Sequence, residues 1–230
     1  QEVLASFIAN DENLLAIEYE KSNEKSLVDL YVNAYNDKIL SSEDTTIYSS
    51  IKVLEMNTNI VNVVSQLKLD KNNVIFIPAS NQTFITNLFN NLTTTLNQKT
   101  YKDCKVTLIG MEDWMKYENI DLEYFQKLNV HYCSTRFVDE QDSLTTTFIK
   151  NYIEKTKTYP SKNTFLGFDI AYSFGNNFLK QGTLFSPLSL QKHKGMSIDL
   201  NFFKTGIESG YENKSAFLFH FNDFILKRID

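Results

Sequence analysis

The stretch most like a catalytic motif is AYSFG at residues 171–175, which resembles a nucleophile elbow with alanine in place of its first glycine. Ser173 would be the nucleophile, and Asp199 and His220 follow in the serine, aspartate, histidine order of a hydrolase triad. An elbow needs a strand running straight into the serine and a helix leaving it, so that the hydroxyl stands exposed at a tight turn. Ser173 falls instead inside the helical repeat of Phe168, Tyr172 and Phe178, so the sequence predicts an ordinary helix residue. Other catalytic signatures are missing. There is no G-x-G-x-x-G, no Walker loop and no H-E-x-x-H. The three histidines, His131, His193 and His220, are too far apart in sequence for a local metal motif. His131 and His220 sit in predicted strands and read as hydrogen-bonded structural residues. A phospho-acceptor aspartate would be expected after the third strand, where this chain has Pro78-Ala79-Ser80. The expectation is a non-enzymatic protein with no cofactor and no metal.

The polar residues that remain are suited to recognition. VTLIGMEDW, residues 106–114, ends an apolar run with a glycine, two adjacent carboxylates (Glu112 and Asp113) and the chain's only tryptophan. Equivalent positions lie after four other apolar runs. They are Glu18, Glu20 and Ser22; Met56 and Asn57; Ser80, Asn81 and Gln82; and Thr135 and Arg136. These groups offer hydroxyls, amides and carboxylates without a nucleophile–base pair. They equally suit solvated loops and helix caps, and Ser80 or Asn81 is a natural cap for the helix that follows.

The elements that must position these residues alternate. LLAIEY (14–19), IKVLEM (51–56), VIFIPA (74–79), VTLIG (106–110) and VHYCST (130–135) read as buried strands. Between them run amphipathic stripes: Leu27, Leu30, Tyr31 and Ala34 behind Ser22 or Asn23; Ile60, Val63, Val64 and Leu67 behind Asn57 or Thr58. Phe84, Ile85, Leu88, Phe89 and Leu92 form the third stripe, and Leu122, Phe125 and Leu128 after Asp121 form the fourth. Near-continuous apolar strands alternating with such helices predict a doubly wound parallel sheet of the α/β class. In open sheets of this kind ligands bind outside the carboxyl ends of the strands, where Glu112 and its companions fall.

After Asp139 the pattern changes. Leu144, Phe148, Ile149, Tyr152 and Ile153 predict one helix; Phe168, Ala171, Tyr172, Phe178 and Leu179 predict another, starting near Asn163. Residues 181–230 read as a C-terminal β segment around the turn-rich KTGIESGYENK.

Composition sets the remaining bounds. The chain has 230 residues, enough for a substantial core, and a formal net charge of −5. An acidic balance argues against a nucleic-acid partner, which would need a basic face. No run approaches the roughly 18 apolar residues of a membrane-spanning helix. Gln1-Glu2-Val3 opens in a helical-looking pattern, so any export signal is expected to have been removed or to lie upstream. The two cysteines, Cys104 and Cys133, fall at different heights on neighbouring strands and read as unpaired thiols.

The order of NLLAIEYEKSNEKSLVDLYVNAY, NVIFIPASNQTFITNLFNNL, CKVTLIGMEDW and NTFLGFDIAYSFGNNFL resembles type I periplasmic binding proteins of the branched-chain amino-acid receptor group. The closing GYENKSAFLFHFNDFILKRI is similar to the end of a subgroup often linked to LysM peptidoglycan-binding modules. The resemblance implies two α/β lobes joined by three crossovers, with ligand held in the cleft. Residues 12–138 would be the second lobe; residues 139–230 would hold partial first-lobe helices and a β return. The early half of the first lobe has no counterpart in the chain. Glu112 matches the family's acid that pairs with a ligand ammonium, and Phe168 in GFDIA falls near a cleft-lining aromatic, with Ile170 shifting the register. The implied protein is an exported or periplasmic solute receptor with Glu112 and Phe168 at its site; Ser80, Asn81 and Glu20 join them as ligand-binding candidates from their predicted place at the carboxyl ends of the strands alone. Its implied ligand is an amino acid, a peptide or a cell-wall fragment, and a transporter or peptidoglycan would be reached through other domains. A structural module that kept the fold without the ligand is the alternative.

Overall fold

The computed structural model describes residues 12–21, 23–41, 49–57, 61–182 and 193–229. The chain divides into two compact units, residues 1–133 with 218–230, and residues 134–217.

The first unit is built on a sheet of seven strands. In chain order these are β1 (Asn13–Tyr19), β2 (Lys52–Met56), β3 (Asn72–Phe76), β4 (Lys105–Gly110), β5 (His131–Ser134), β10 (Phe217–Asn222) and β11 (Ile225–Arg228). Their spatial order is β11-β10-β5-β4-β3-β1-β2. Strands β1 to β5 pair in parallel, as the unbroken apolar runs require, whereas β10 and β11 form an antiparallel hairpin. The order 2-1-3-4-5 of the parallel strands is that of a doubly wound sheet whose winding reverses between β1 and β3.

Successive side chains of a strand point to opposite faces, and the sheet uses both. Leu15, Ile17 and Tyr19 of β1 pack with Ile75, Ile77 and a helical layer. That layer comprises α2 (Val61–Val64), α3 (Gln82–Leu96) and α4 (Leu122–Lys127). Leu14 and Ala16 join Val74 and Phe76 on the other face, against Val28, Tyr31 and Tyr35 of α1 (Ser26–Ser41). Two ring stacks pin the layers: Tyr19 on Phe84 with centroids 4.1 Å apart, and Tyr31 on Phe76 at 4.0 Å. Asn81 caps α3 by accepting from the Phe84 amide at 2.9 Å, and Asp121 caps α4.

Two expected stripes differ in detail. The stripe from Ile60 to Leu67 predicts a two-turn helix, yet α2 spans four residues; Ile60 and Thr58 lie outside the described residues. Asn73, fully buried on β3, explains the early stop. It accepts from the Lys68 amide at 2.8 Å and donates to the Lys68 carbonyl at 2.9 Å, while Asn13 donates to the Gln66 carbonyl at 2.8 Å. Side-chain amides have taken the backbone groups a longer helix would use. In α1, Leu30 belongs to the predicted apolar stripe but is 53% exposed, and Val28 and Tyr35 are buried instead. The candidate cap Ser22 also lies outside the described residues.

His131 is the structural residue its strand position predicts. It is 2% exposed, its Nδ1 lies 2.8 Å from the Asn129 carbonyl, and its ring centroid is 5.4 Å from that of His220 on β10. Burial pushes its pKa from 6.5 down to about 4, and the neighbouring His220 pushes in the same direction. The unfolded chain therefore binds this proton first as pH falls. The stability of the neutral folded form is intact above about 6.5 and is lost progressively toward about 4. We expect a loss of up to about 3 kcal/mol across that window. Urea midpoints at stepped pH will show it, and His131→Gln will flatten this part of the profile.

The second unit holds α5 (Ser143–Thr156), α6 (Lys162–Gln181) and two short antiparallel ladders. One ladder joins β6 (His193–Lys194) to β7 (Asp199–Leu200); the other joins β8 (Phe202–Lys204) to β9 (Tyr211–Asn213). Asp142 caps α5. Ser161 and Thr164 form a reciprocal capping box that starts α6.

Candidate functional site

The carboxyl ends of β1, β3 and β4 place three loops side by side in the first unit, with the switch point between β1 and β3 among them. Glu20 follows β1 and is exposed; its backbone amide donates to the Met56 carbonyl at 2.8 Å. Met56 itself is buried, so it belongs to the core and offers nothing to a ligand. Four residues beyond Glu20, Glu24 accepts a short hydrogen bond from the Ser80 hydroxyl. That bond spans the crevice between the β1 and β3 loops. The Tyr117 hydroxyl donates to the Ser80 carbonyl, which ties the β4 loop to the same point. Burial raises the Tyr117 pKa, followed by the negative charges of Asp113 and Glu24.

Glu112 opens a 3-10 turn, Glu112–Lys116, directly after β4. It is exposed at the sheet edge, and its charge adds to burial in raising the Tyr132 pKa on β5. Asp113 is held by Lys116 at 2.6 Å. Trp114 turns back beneath the loop. It is 1% exposed, donates its Nε1 hydrogen to the Ala79 carbonyl at 2.8 Å, and meets Phe89 edge-on with centroids 5.4 Å apart. Gly110 makes that return possible, because a Cβ there would lie 2.2 Å from the indole ring.

Glu112, Ser80, Asn81 and Glu20 thus share one edge of one sheet. Asn81 has its side-chain oxygen engaged in the α3 cap, and Ser80 is bonded to Glu24. Phe168 belongs to the second unit, on α6. It is 41% exposed, with its ring 4.8 Å from Phe148 and stacked with Tyr172 at 5.8 Å. Thr135 and Arg136 also lie in the second unit, exposed after β5. Sequence reasoning missed Glu24 and Tyr117, whose roles depend on loops that meet only in the folded sheet.

Ser173 lies in the middle of α6 and is 1% exposed. No strand precedes it, and a hydroxyl buried in a helix cannot present the exposed attacking oxygen of an elbow. The neighbouring residue that matters is Asp169, also missed. It is 3% exposed and accepts from the Met196 amide at 2.9 Å, the Ser197 amide and hydroxyl at 2.7 Å each, and the Ile198 amide at 3.2 Å. Gly195 closes this turn; a Cβ there would stand 2.3 Å from the Ile198 carbonyl oxygen and 2.7 Å from the Asp169 carboxyl carbon. Asp169 is therefore a structural clamp. No signal in the sequence marked it, because the apolar stripe of α6 lies on another side of the helix.

Among the described residues no helix is long and apolar enough to cross a membrane, and no three histidine, cysteine or acidic side chains form a cluster able to hold a metal ion. Neither Cys104 nor Cys133 is joined in a disulfide.

No family model and no curated protein matches the sequence. Solved structures do match. An ABC-transporter substrate-binding protein from Desulfitobacterium hafniense, in complex with Leu, is 15% identical with a TM-score of 0.53 over 99% of this chain and 62% of its own. A putative branched-chain amino acid ABC transporter from Rhodospirillum rubrum is 9% identical with a TM-score of 0.58, over 99% of this chain and 64% of its own. The chain spans less than two thirds of the length of these structures. At such identities the likeness is one of fold alone, and the chain has a fold like that of these solved substrate-binding proteins.

Proposed function

We propose that the chain is a non-enzymatic solute-recognition module of the bacterial envelope. The observation that carries this reading is the exposed Glu112 at the carboxyl edge of a parallel sheet with the substrate-binding-protein fold. Glu112 grips a cationic group of an amino acid or a peptide-like ligand through charge-assisted hydrogen bonds. Ser80, Asn81 and Glu20 supply polar contacts on the same edge, and Phe168 is proposed separately as an aromatic contact of the second unit. Export to the periplasm or outer envelope accords with this fold. Attachment to LysM modules and delivery to a transporter rest on the sequence resemblance alone.

The test is a thermal-shift screen of the full natural polypeptide against amino acids, short peptides and cell-wall fragments. A ligand that raises the melting temperature is then titrated against Glu112→Gln. Loss of a charged hydrogen bond costs about 1.5–3 kcal/mol, so affinity should fall about tenfold to a hundredfold. Unchanged affinity removes Glu112 from the site.

A second reading, a structural or interaction module that no longer binds solute, is favoured by one observation. Ser80 and Asp113 are already hydrogen-bonded to Glu24 and Lys116 within the edge itself. Absence of stabilisation by every compound in the screen would support it.

A further inference from the structure

Several side-chain donors in and beside the loops after β1, β3 and β4 are already spent on protein acceptors. The Trp114 indole N–H donates to the Ala79 carbonyl at 2.8 Å, and the Tyr117 hydroxyl to the Ser80 carbonyl at 2.5 Å. A backbone carbonyl has no hydrogen to give, so both directions are fixed. The Ser80 hydroxyl donates to Glu24, in the loop between β1 and α1. A carboxylate only accepts, and its charge makes such a bond strong. Lys116 and Lys25 are committed as well, to Asp113 at 2.6 Å and to Glu18 at 2.8 Å.

What a serine offers a ligand depends on where its one proton goes. A hydroxyl has a single donor and two lone pairs, so Ser80, its hydrogen held by Glu24, meets a ligand as an acceptor. Tyr117 does the same, with its hydrogen on the Ser80 carbonyl. Glu112, exposed on the same edge, is an acceptor by its charge. Asn81 is the contrast: its oxygen is taken by the Phe84 amide, so it has amide hydrogens to give. We propose that Glu24 is a positioning residue. By holding the Ser80 proton it fixes that hydroxyl as an acceptor, so the crevice takes the N–H-bearing end of a ligand and rejects a carbonyl or carboxylate there. An ammonium brings three hydrogens to these lone pairs, whereas an oxo group sets lone pair against lone pair. Ser80 could turn its hydrogen outward only by giving up its charge-assisted bond to Glu24. The proposal rests on the solute reading above and adds to it the residue that sets the polarity of the Ser80 contact.

The experiment titrates the full natural polypeptide calorimetrically with two pairs of probes. One pair is L-leucine and 4-methyl-2-oxopentanoate; the other is L-alanyl-L-alanine and pyruvoyl-L-alanine. Within each pair an oxo group replaces the ammonium. Glu24→Gln keeps an oxygen that accepts the Ser80 proton but drops the charge, and Glu24→Ala drops both. The two variants lose the same charge, so the difference between them reports the acceptor alone. The preference for amine over oxo compound should be about tenfold lower in Glu24→Ala than in Glu24→Gln, the effect of one hydrogen bond. Adding Ser80→Ala to Glu24→Ala should restore most of that preference, because the hydroxyl that turned to the oxo group is gone. A merely structural role for Glu24 would weaken both members of a pair alike. Equal preferences in the two Glu24 variants overturn the proposal, and the solute reading survives that result if Glu112→Gln still weakens leucine. No binding by either pair overturns the proposal as well; the solute reading then falls only if the whole screen is negative.

Discussion

Replacing Asp169 with alanine should destabilise the second unit by about 4 kcal/mol, the combined effect of losing charged hydrogen bonds and stranding buried donors. Four donors converge on this carboxylate: the amides of Met196, Ser197 and Ile198 and the Ser197 hydroxyl. With Asp169 and Ser197 at 3% and 2% exposure, water cannot replace the lost acceptor without opening the turn. Asp169→Asn keeps the shape but gives up one acceptor oxygen for a donor facing donors, and should cost about half as much. Urea unfolding followed by two probes is needed, since two units need not unfold together. Hydrogen exchange at Met196, Ser197 and Ile198 supplies the local readout. A loss below about 1 kcal/mol with unchanged exchange at those amides would show that Asp169 is not the clamp.

Gly110→Ala should destabilise the first unit by about 3 kcal/mol, at the upper end of ordinary overpacking. The added methyl would sit 2.2 Å from the Trp114 ring, in a layer where Phe89 lies edge-on to the same indole. The ring cannot retreat without breaking its 2.8 Å bond to the Ala79 carbonyl, so strain spreads from β4 to the loop after β3. Trp114 is the only tryptophan, which makes its fluorescence a direct report. The native emission should be that of a buried indole and should shift to the red in Gly110→Ala. Combining Gly110→Ala with Trp114→Leu relieves the clash, so the double variant should be less destabilised than the sum of the singles. Additive losses with unaltered emission would refute this account of the glycine. The same variant should disturb the candidate edge at Glu112 and Ser80, because both are set by the loops that Trp114 joins.

The strands were legible because burial on both sheet faces demands unbroken apolar runs, and LLAIEY and VTLIG supply them at β1 and β4. The α3 and α4 starts were legible because Asn81 and Asp121 satisfy amides close in sequence. Periodicity found α6 but not which side of it would be buried. It ranks a helix's sides by hydropathy, whereas Asp169 is drawn inward by amides found nearly thirty residues later in the sequence. The same limit shortened the stripe from Ile60 to Leu67, where Asn73 holds the backbone of Lys68.

For the candidate site, parallel winding alone put Glu112, Ser80, Asn81 and Glu20 at the carboxyl edge of the sheet, since strand direction determines which loops share that edge. What each group is left to do there was decided by tertiary structure. Hydrogen bonding between loops is set by distances that sequence spacing does not encode: Ser80 meets Glu24 and Tyr117, and Trp114 folds under Ala79. The sequence by itself determined an acidic α/β chain with a carboxylate at the mouth of a central strand, because local apolar pattern and turn chemistry act over a few residues. Only the folded sheet decided that the glycine before Glu112 makes room for an indole, and that the polar side of α6 faces inward.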